Sequence, residues 1–108
     1  MHVISQSALR KFWEKYPDAE TSLRSWYKIA TTAEWSNLAE VKAVFSSADR
    51  VGNFTVFNIR GNNYRLITFI DYEYRPKKVF IRAVLTMKNM MKINEKKTGG
   101  INDNVLLS

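Results

Sequence analysis

The sequence predicts an α+β fold, and three observations carry that prediction. Apolar residues recur with a helical period through the first 45 residues. Over residues 54–86 the period falls to two, the pattern of strands with one buried face. Turn chemistry at Gly61-Asn62 and around Pro76 divides that second stretch into three strands. Helices gathered ahead of an antiparallel meander, instead of alternating with strands, define this class.

Each element has its own signal. Residues 2–4 read as a short strand ended by Ser5, a good helix N-cap. Leu9, Phe12, Trp13 and Tyr16 then recur at i, i+3, i+4 and i+7, the stripe of a first helix. Pro17 stops it, and Asp18 can cap a second helix striped by Ala19, Leu23, Trp26, Tyr27, Ala30 and Ala33. Aromatic stripes on two neighbouring helices read as core rather than as a base-stacking platform. A third, short helix has Ser36 as its cap and Leu38, Val41 and Val44 or Phe45 inside, with Lys42 off the stripe. Residues 46–53 carry Ser46, Ser47, Asp49, Gly52 and Asn53, the composition of a loop. Residues 54–60 form the first meander strand, Gly61-Asn62 a two-residue hairpin connection, and residues 63–72 the return strand. A second turn containing Pro76 leads to a third strand at 79–86.

Length and composition bound the function. A chain of 108 residues fits one domain around one core, and 45% hydrophobic with 25% charged residues argues against wholesale disorder. No apolar run approaches the roughly 18–20 residues that a membrane span needs. Without cysteine, disulfide scaffolds, thiol catalysis and cysteine-ligated zinc are excluded. The single histidine, His2, leaves no His-based metal site and no Ser-His-Asp triad. The first residues lack the basic start and apolar core of a secretory signal, which favours the cytoplasm.

Charge is the positive clue. Seventeen Lys and Arg against ten Asp and Glu give +7. Such a field attracts polyanions, so nucleic acid, the ribosome or an acidic protein is the expected partner. A merely soluble basic protein would carry the same charge. An anionic membrane fits less well, because the basic residues are not gathered on one amphipathic helix.

Two arginines give the meander its chemistry. Arg65 on the middle strand and Arg82 on the last share a face if the pairing register sums to an odd number. Asn58 and Arg60 keep one side of the first strand wet, while Phe57, Ile59, Leu66, Ile70, Ile81 and Leu85 back onto the helices. A sheet with helices on one face and guanidinium groups on the other is suited to phosphate, since arginine forks onto phosphate oxygens more rigidly than lysine. Spacing alone equally allows the arginines to be solvated decoration.

The residues that resemble a known family run in order along the chain. They are Met1-His2-Val3-Ile4-Ser5, Ala8-Leu9-Arg10, and Phe12-Trp13-Glu14-Lys15-Tyr16-Pro17-Asp18-Ala19-Glu20, then Leu23-Arg24-Ser25-Trp26-Tyr27 and Val41-Lys42-Ala43. Val56-Phe57-Asn58-Ile59-Arg60-Gly61-Asn62-Asn63-Tyr64-Arg65-Leu66 and Val79-Phe80-Ile81-Arg82 complete the set. This co-linear series, spread over residues 1–86, resembles the HigB family of bacterial toxins, within the wider RelE-like group. The resemblance implies a RelE-like domain over 1–86, with N-terminal helices on a small antiparallel sheet, and an atypical short C-terminal helix or tail over 87–108.

It also implies a function. Proteins of this group cut messenger RNA, often on the ribosome, and are held inactive by a cognate antitoxin. They need no metal or other cofactor, because a neighbouring 2′-hydroxyl attacks the phosphodiester. By position, Arg65 and Arg82 would clamp the scissile phosphate and stabilise its transition state, with Lys42 a third catalytic candidate. Arg60, Asn62, Lys77 and Lys78 would contact flanking RNA, Arg60 sharing with Lys42 a part in holding backbone or assisting protonation. Asn58 and Asn62 also suit the setting of turn and strand geometry.

The resemblance breaks after Thr86. The family's usual continuation is Thr-His-x-Glu-Tyr-Asp, whereas this chain reads Thr86-Met87-Lys88-Asn89-Met90-Met91-Lys92. Met87 falls where the family has His, Met90 where it has Tyr, and Met91 where it has Asp. A reading-frame slip accounts for this economically. His-Glu-Glu-Tyr-Asp-Glu can be encoded CAT GAA GAA TAT GAT GAA A, and loss of the first base gives ATG AAG AAT ATG ATG AAA, which translates as residues 87–92. Ordinary helix-packing methionines are the other explanation, and the coding DNA separates the two. Losing imidazole and phenol would remove acid–base help while leaving the arginine floor, so RNA affinity should outlast cleavage. Lys96-Lys97-Thr98-Gly99-Gly100 breaks a helix, and residues 101–108 read as loosely ordered.

Three readings follow. The first is an mRNA endoribonuclease toxin, attenuated by its tail. The second is a catalytically dead module that keeps RNA, ribosome or antitoxin contacts. The third, a DNA- or gyrase-directed protein, would need a recognition helix with polar base-reading residues, and both strong helices here carry aromatic core stripes instead.

Overall fold

The helical stripes of the first half and the alternating residues of the second half meet in one core in the computed structural model, which describes residues 1–89. In chain order the elements are β1 (His2–Ile4), α1 (Ser7–Lys15), a 3₁₀ turn (Pro17–Ala19), α2 (Glu20–Thr32), α3 (Leu38–Val44), β2 (Asp49–Val51), β3 (Phe54–Ile59), β4 (Tyr64–Asp71) and β5 (Lys78–Thr86). The sheet order is β1-β5-β4-β3-β2. β2 to β5 pair antiparallel, while β1 joins the β5 edge in parallel. The α+β class therefore holds, but the expected small antiparallel meander is the centre of a larger mixed sheet. A parallel partner requires a long crossover, which the helices supply.

The helix stripes are as the spacing predicts. Leu23, Trp26 and Ala30 of α2 and Leu9 of α1 are almost wholly buried against Phe57, Ile59, Leu66, Ile70, Val79 and Ile81 of the sheet. Burying each large side chain contributes about 1.5–3 kcal/mol, and Trp26 gains further from its edge contact with Phe57 at 5.4 Å. In α3 the alternative resolves in favour of Phe45, which packs on Trp35 and Phe57, while Val44 is 55% exposed.

The expected caps are each displaced. Ser5 adopts a positive φ of 71° and offers its carbonyl, not its hydroxyl, to the start of α1. Asp18 does not cap α2, because its carboxylate is used by Tyr64 and Arg60. Asn37, one residue after Ser36, caps α3 by accepting from the Glu40 amide, and Glu40 reaches back to the Ser36 amide. The arrangement differs from a capping box in that Glu40 accepts from the residue before the cap and not from the Asn37 amide itself. At the other end of the helical layer the Met1 ammonium donates to the carbonyls of Ala30, Thr31 and Ala33, so a positive charge closes the C-terminus of α2.

Register decides which side chains face which way. Phe57 lies opposite Leu66, and Leu66 opposite Val84, on the helix-covered face. Val56, Ile67 and Ala83 form a row on the other face, where Phe54, Val51 and Leu85 join them in a second apolar cluster. Leu85 was expected on the helix side. The ladder shifts register between Ile81 and Ala83, leaving Arg82 as an extra residue without a partner. A shift of one residue turns every later side chain to the opposite face. The hairpin after β3 is also longer than expected, with residues 60–63 joining the Ile59–Tyr64 pair. Arg60 and Gly61 hold positive φ there, and Gly61 meets that demand without a side-chain penalty.

Thr86 ends β5 and its hydroxyl accepts from the Asn89 amide, capping a helical turn at residues 87–89. Met90, Met91 and Lys92 of the altered segment, and the loosely ordered stretch expected at 101–108, lie outside the described residues.

Candidate functional site

The bulge in β5 is the natural starting point. Bulges interrupt pairing and re-aim a side chain, and they are over-represented beside active sites. Arg82 occupies this one, is exposed, and makes no hydrogen bond or ion pair among the described residues. Its guanidinium is therefore a free cation on a rigid strand. The expected odd register is found between Thr68 and Ile81 and is lost beyond the bulge, so the condition linking Arg82 to Arg65 breaks at Arg82 itself.

Arg65 is more constrained. It pairs with Asn58 on one side and Leu85 on the other, on the face away from the helices. One terminal nitrogen donates to the carbonyls of Asn62 and Tyr64, each at 3.1 Å, which folds the side chain back onto the hairpin. Asn58 donates to Asn62 at 3.2 Å, so both asparagines do set turn geometry. Asn62 thus sits in the hairpin connection beside Arg65, with its own carboxamide oxygen already occupied.

The other expected contacts are dispersed. Lys42 is exposed on α3, which touches β2, three strands from β5 or roughly 14 Å in strand spacings alone. Arg60 pairs with Asp18 at 3.2 Å and is turned toward the helices. Lys77 is only 5% exposed, and its amine donates to the Ser36 hydroxyl at 3.0 Å, so it is not a free surface cation. Lys78 is half-buried in a row with His2 and Asp71 across three strands. The structure therefore keeps Arg65 and Arg82 on neighbouring central strands and places Lys42, Arg60 and Lys77 elsewhere.

Asp18 joins two partners, accepting from the Tyr64 hydroxyl while pairing with Arg60. Donation to that carboxylate raises the Tyr64 pKa above its ordinary 10.0, since ionising the phenol would set two anions together. A phenol whose folded pKa is raised stabilises the fold fully below pH 10 and loses that contribution as pH climbs through the folded value. Stability should accordingly fall above pH 10, and Tyr64→Phe should flatten that slope. Urea midpoints of both proteins between pH 8 and 11 check it. Equal slopes would mean that the Tyr64–Asp18 bond is not maintained in solution.

Two features escaped the sequence reading. Phe69 and Phe80 stand opposite each other on the face away from the helices, rings 6.2 Å apart. A cavity of about 320 Å³ lies where β4 runs past the start of β3, lined by Ser36, Arg50, Asn53, Thr55, Phe69 and Tyr72 among others. Its residues come from four separate stretches of chain, so no local spacing announces them. Among the described residues no group of three or more His, Cys, Asp or Glu is placed to hold a metal ion.

Comparison with known proteins gives a consistent picture. Residues 19–92 match the family described as HigB_toxin, RelE-like toxic component of a toxin-antitoxin system. The chain is 34% identical to the mRNA interferase toxin HigB of Escherichia coli K12 over 91 residues, covering 82% of this chain and 86% of that protein. The mRNA interferase HigB of Shigella flexneri is similar to the same extent. That of Escherichia coli O6:H1 is 26% identical over 87 residues, 78% of this chain and 82% of its own length.

Proposed function

The chain belongs to the HigB family, the RelE-like toxic components of toxin-antitoxin systems, and from that membership we propose that it is an mRNA endoribonuclease bound and silenced by a cognate antitoxin. The observation that carries the chemistry is Arg82, an exposed cation fixed at a strand bulge with no protein partner among the described residues. RNA cleavage by its own 2′-hydroxyl needs little more from a protein than alignment and charge. The 2′-oxygen attacks the adjacent phosphorus, the bond to the 5′-oxygen breaks, and the products carry a 2′,3′-cyclic phosphate and a 5′-hydroxyl. Negative charge gathers on the phosphoryl oxygens in between, where a preset guanidinium stabilises it more than in the ground state. Arg82 serves that role, and Arg65, already oriented by two carbonyls, supports it from the neighbouring strand.

The remaining cations act at longer range. Lys42 and Lys78 suit flanking phosphates, and Asn62 shapes the hairpin that holds Arg65. Arg60 and Lys77 contribute by holding Asp18 and Ser36. Protons must still leave the 2′-oxygen and reach the 5′-oxygen. Position 87, where the family has His and this chain has Met, is where that help is missing. Activity is therefore attenuated, and Met87 is the one observation favouring the second reading, a binding module that no longer cuts. The work is done in the cytoplasm, on mRNA engaged by ribosomes.

The test is to induce the chain without antitoxin and map new transcript ends, then repeat cleavage with purified protein and ribosome-bound mRNA in EDTA. New 5′-hydroxyl ends paired with cyclic phosphates, insensitive to EDTA, are expected. Intact transcripts with undiminished RNA binding would establish the binding module instead.

A further inference from the structure

The sheet face away from the helices carries an apolar row across three strands. Ile4 of β1 lies opposite Phe80 of β5, and Phe80 lies opposite Phe69 of β4. The two phenyl rings are 6.2 Å apart and tilted by 44°. Phe80 is half-buried by its neighbours, whereas Phe69 remains 36% exposed. On the same face Phe54, Val56 and Ile67 are no more than 6% exposed. The fold can therefore bury large apolar side chains on this face, and at Phe69 it does not. A contiguous apolar row left open to water marks a contact surface.

Cations bracket the row. Lys78 precedes Phe80 by two residues and Arg82 follows it by two, so strand alternation puts all three on the open face. At about 3.3 Å per residue the two charges lie roughly 13 Å apart along β5, with the aromatic pair between them. Neither makes an ion pair among the described residues. Asp71 is opposite Lys78, but its carboxylate accepts from the Glu73 and Tyr74 amides at 3.1 and 3.3 Å.

This alternation of charge, ring and charge suits single-stranded nucleic acid, whose phosphates meet the cations while a base lies on the ring. It suits a helix from a partner protein less well. A helix is about 10–12 Å across and would set its apolar stripe over Lys78 and Arg82 as well as the phenyl groups.

We propose that Phe69 and Phe80 form a stacking platform for one unpaired nucleobase of the RNA, beside the phosphate held by Arg82. The platform positions the strand for cleavage without reading which base is present, because every base has a π-face. It rests on the RNA reading given above.

The experiment uses short, non-cleavable 2′-O-methyl oligonucleotides, labelled for fluorescence anisotropy, in which one abasic site is moved a position at a time. At one position, loss of the base should weaken binding to the whole chain about ten-fold, the scale of one stacked base. Each of the four bases placed there should restore the affinity. Phe69→Leu keeps an apolar side chain but removes the ring, and should bring the ratio of intact to abasic affinity below about three. Phe80→Leu should act in the same direction, while Phe69→Trp should keep the ratio. Arg82→Ala should weaken intact and abasic strands alike, as loss of a phosphate contact does. The Tm of Phe69→Leu should match the parent's, because the side chain is exposed.

An abasic site tolerated at every position, or a ratio unmoved by both leucine variants, overturns the platform while the ribonuclease reading stands. A single base that alone restores binding also overturns it, since hydrogen-bond reading would then replace stacking. Sedimentation of the RNA-free chain tests another occupant. A dimer that Phe69→Leu dissociates, with the base ratio intact, makes the row a contact between copies and overturns the proposal. Failure of the wild type to bind any strand, abasic included, overturns both readings.

Discussion

Arg82→Ala should lower RNA cleavage by about 10²–10³-fold and leave the protein as stable as before. Removing one preset donor from a developing oxyanion typically costs that much, because the compensation by water is poor in a site shaped for the transition state. The structural half of the expectation follows from the bulge. Arg82 is exposed, outside the strand ladder and without a bonded partner among the described residues, so its truncation belongs with surface changes of about 0.5 kcal/mol or less. Single-turnover cleavage of a defined transcript and thermal melts of the same preparations read the two halves separately. Arg65→Ala is the less clean companion, because it also removes the bonds to Asn62 and Tyr64 that hold the hairpin. A cleavage rate unchanged in Arg82→Ala would move the phosphate site away from the bulge altogether.

The opposite effect is expected from restoring the family pattern at positions 87, 90 and 91. Met87→His combined with Met90→Tyr and Met91→Asp should raise cleavage by about 10²–10⁴-fold, the usual worth of positioned general acid–base groups. Met87 is 38% exposed in the helical turn capped by Thr86, so an imidazole there meets solvent without displacing core. Transcript cleavage and growth arrest in cells, parent beside variant, are the measurements. If both cut, the arginine floor is sufficient and the altered segment is no handicap. If only the variant cuts, the parent is a toxin scaffold lacking proton transfer. Should neither cut, the ribonuclease assignment loses its main support. Sequencing the gene supplies an independent check, since a frame slip predicts that the shifted frame encodes His followed by an acidic and aromatic stretch.

What the sequence made legible depended on whether a feature repeats. The stripes of Leu9 to Tyr16 and Leu23 to Ala30 recur often enough to mark a buried face, and both helices pack as they imply. β2 has three residues, Asp49–Val51, set among serine, aspartate and glycine, too few for any period to show. Its pairing with β3 comes from the partner strand. Leu85 was assigned to the helix side because alternation was carried through a bulge that leaves no mark in composition. The candidate site was legible in part. Arg65 and Arg82 stand out because charge on a half-buried strand is uncommon. Their accessibility does not, and the same holds for Lys77 on Ser36 and Arg60 on Asp18, whose partners lie 41 and 42 positions away in the chain. Tyr72 was invisible for a related reason. A tyrosine in a turn is ordinary, and only the packed structure reveals that its hydroxyl is buried.

The parallel pairing of β1 with β5 has a consequence for synthesis. β1 has no place in the sheet until β5 has been made, because β5 lies between β1 and the other strands. Before then the N-terminal segment can fold locally, with helices α1 and α2 in contact and Met1 tied to the end of α2. Arg82 is on β5 as well. The proposed phosphate-binding surface therefore forms only when translation has passed Thr86, and a shorter nascent chain lacks the strand that carries it. A protein aimed at messenger RNA is in this way inert while it is still attached to one.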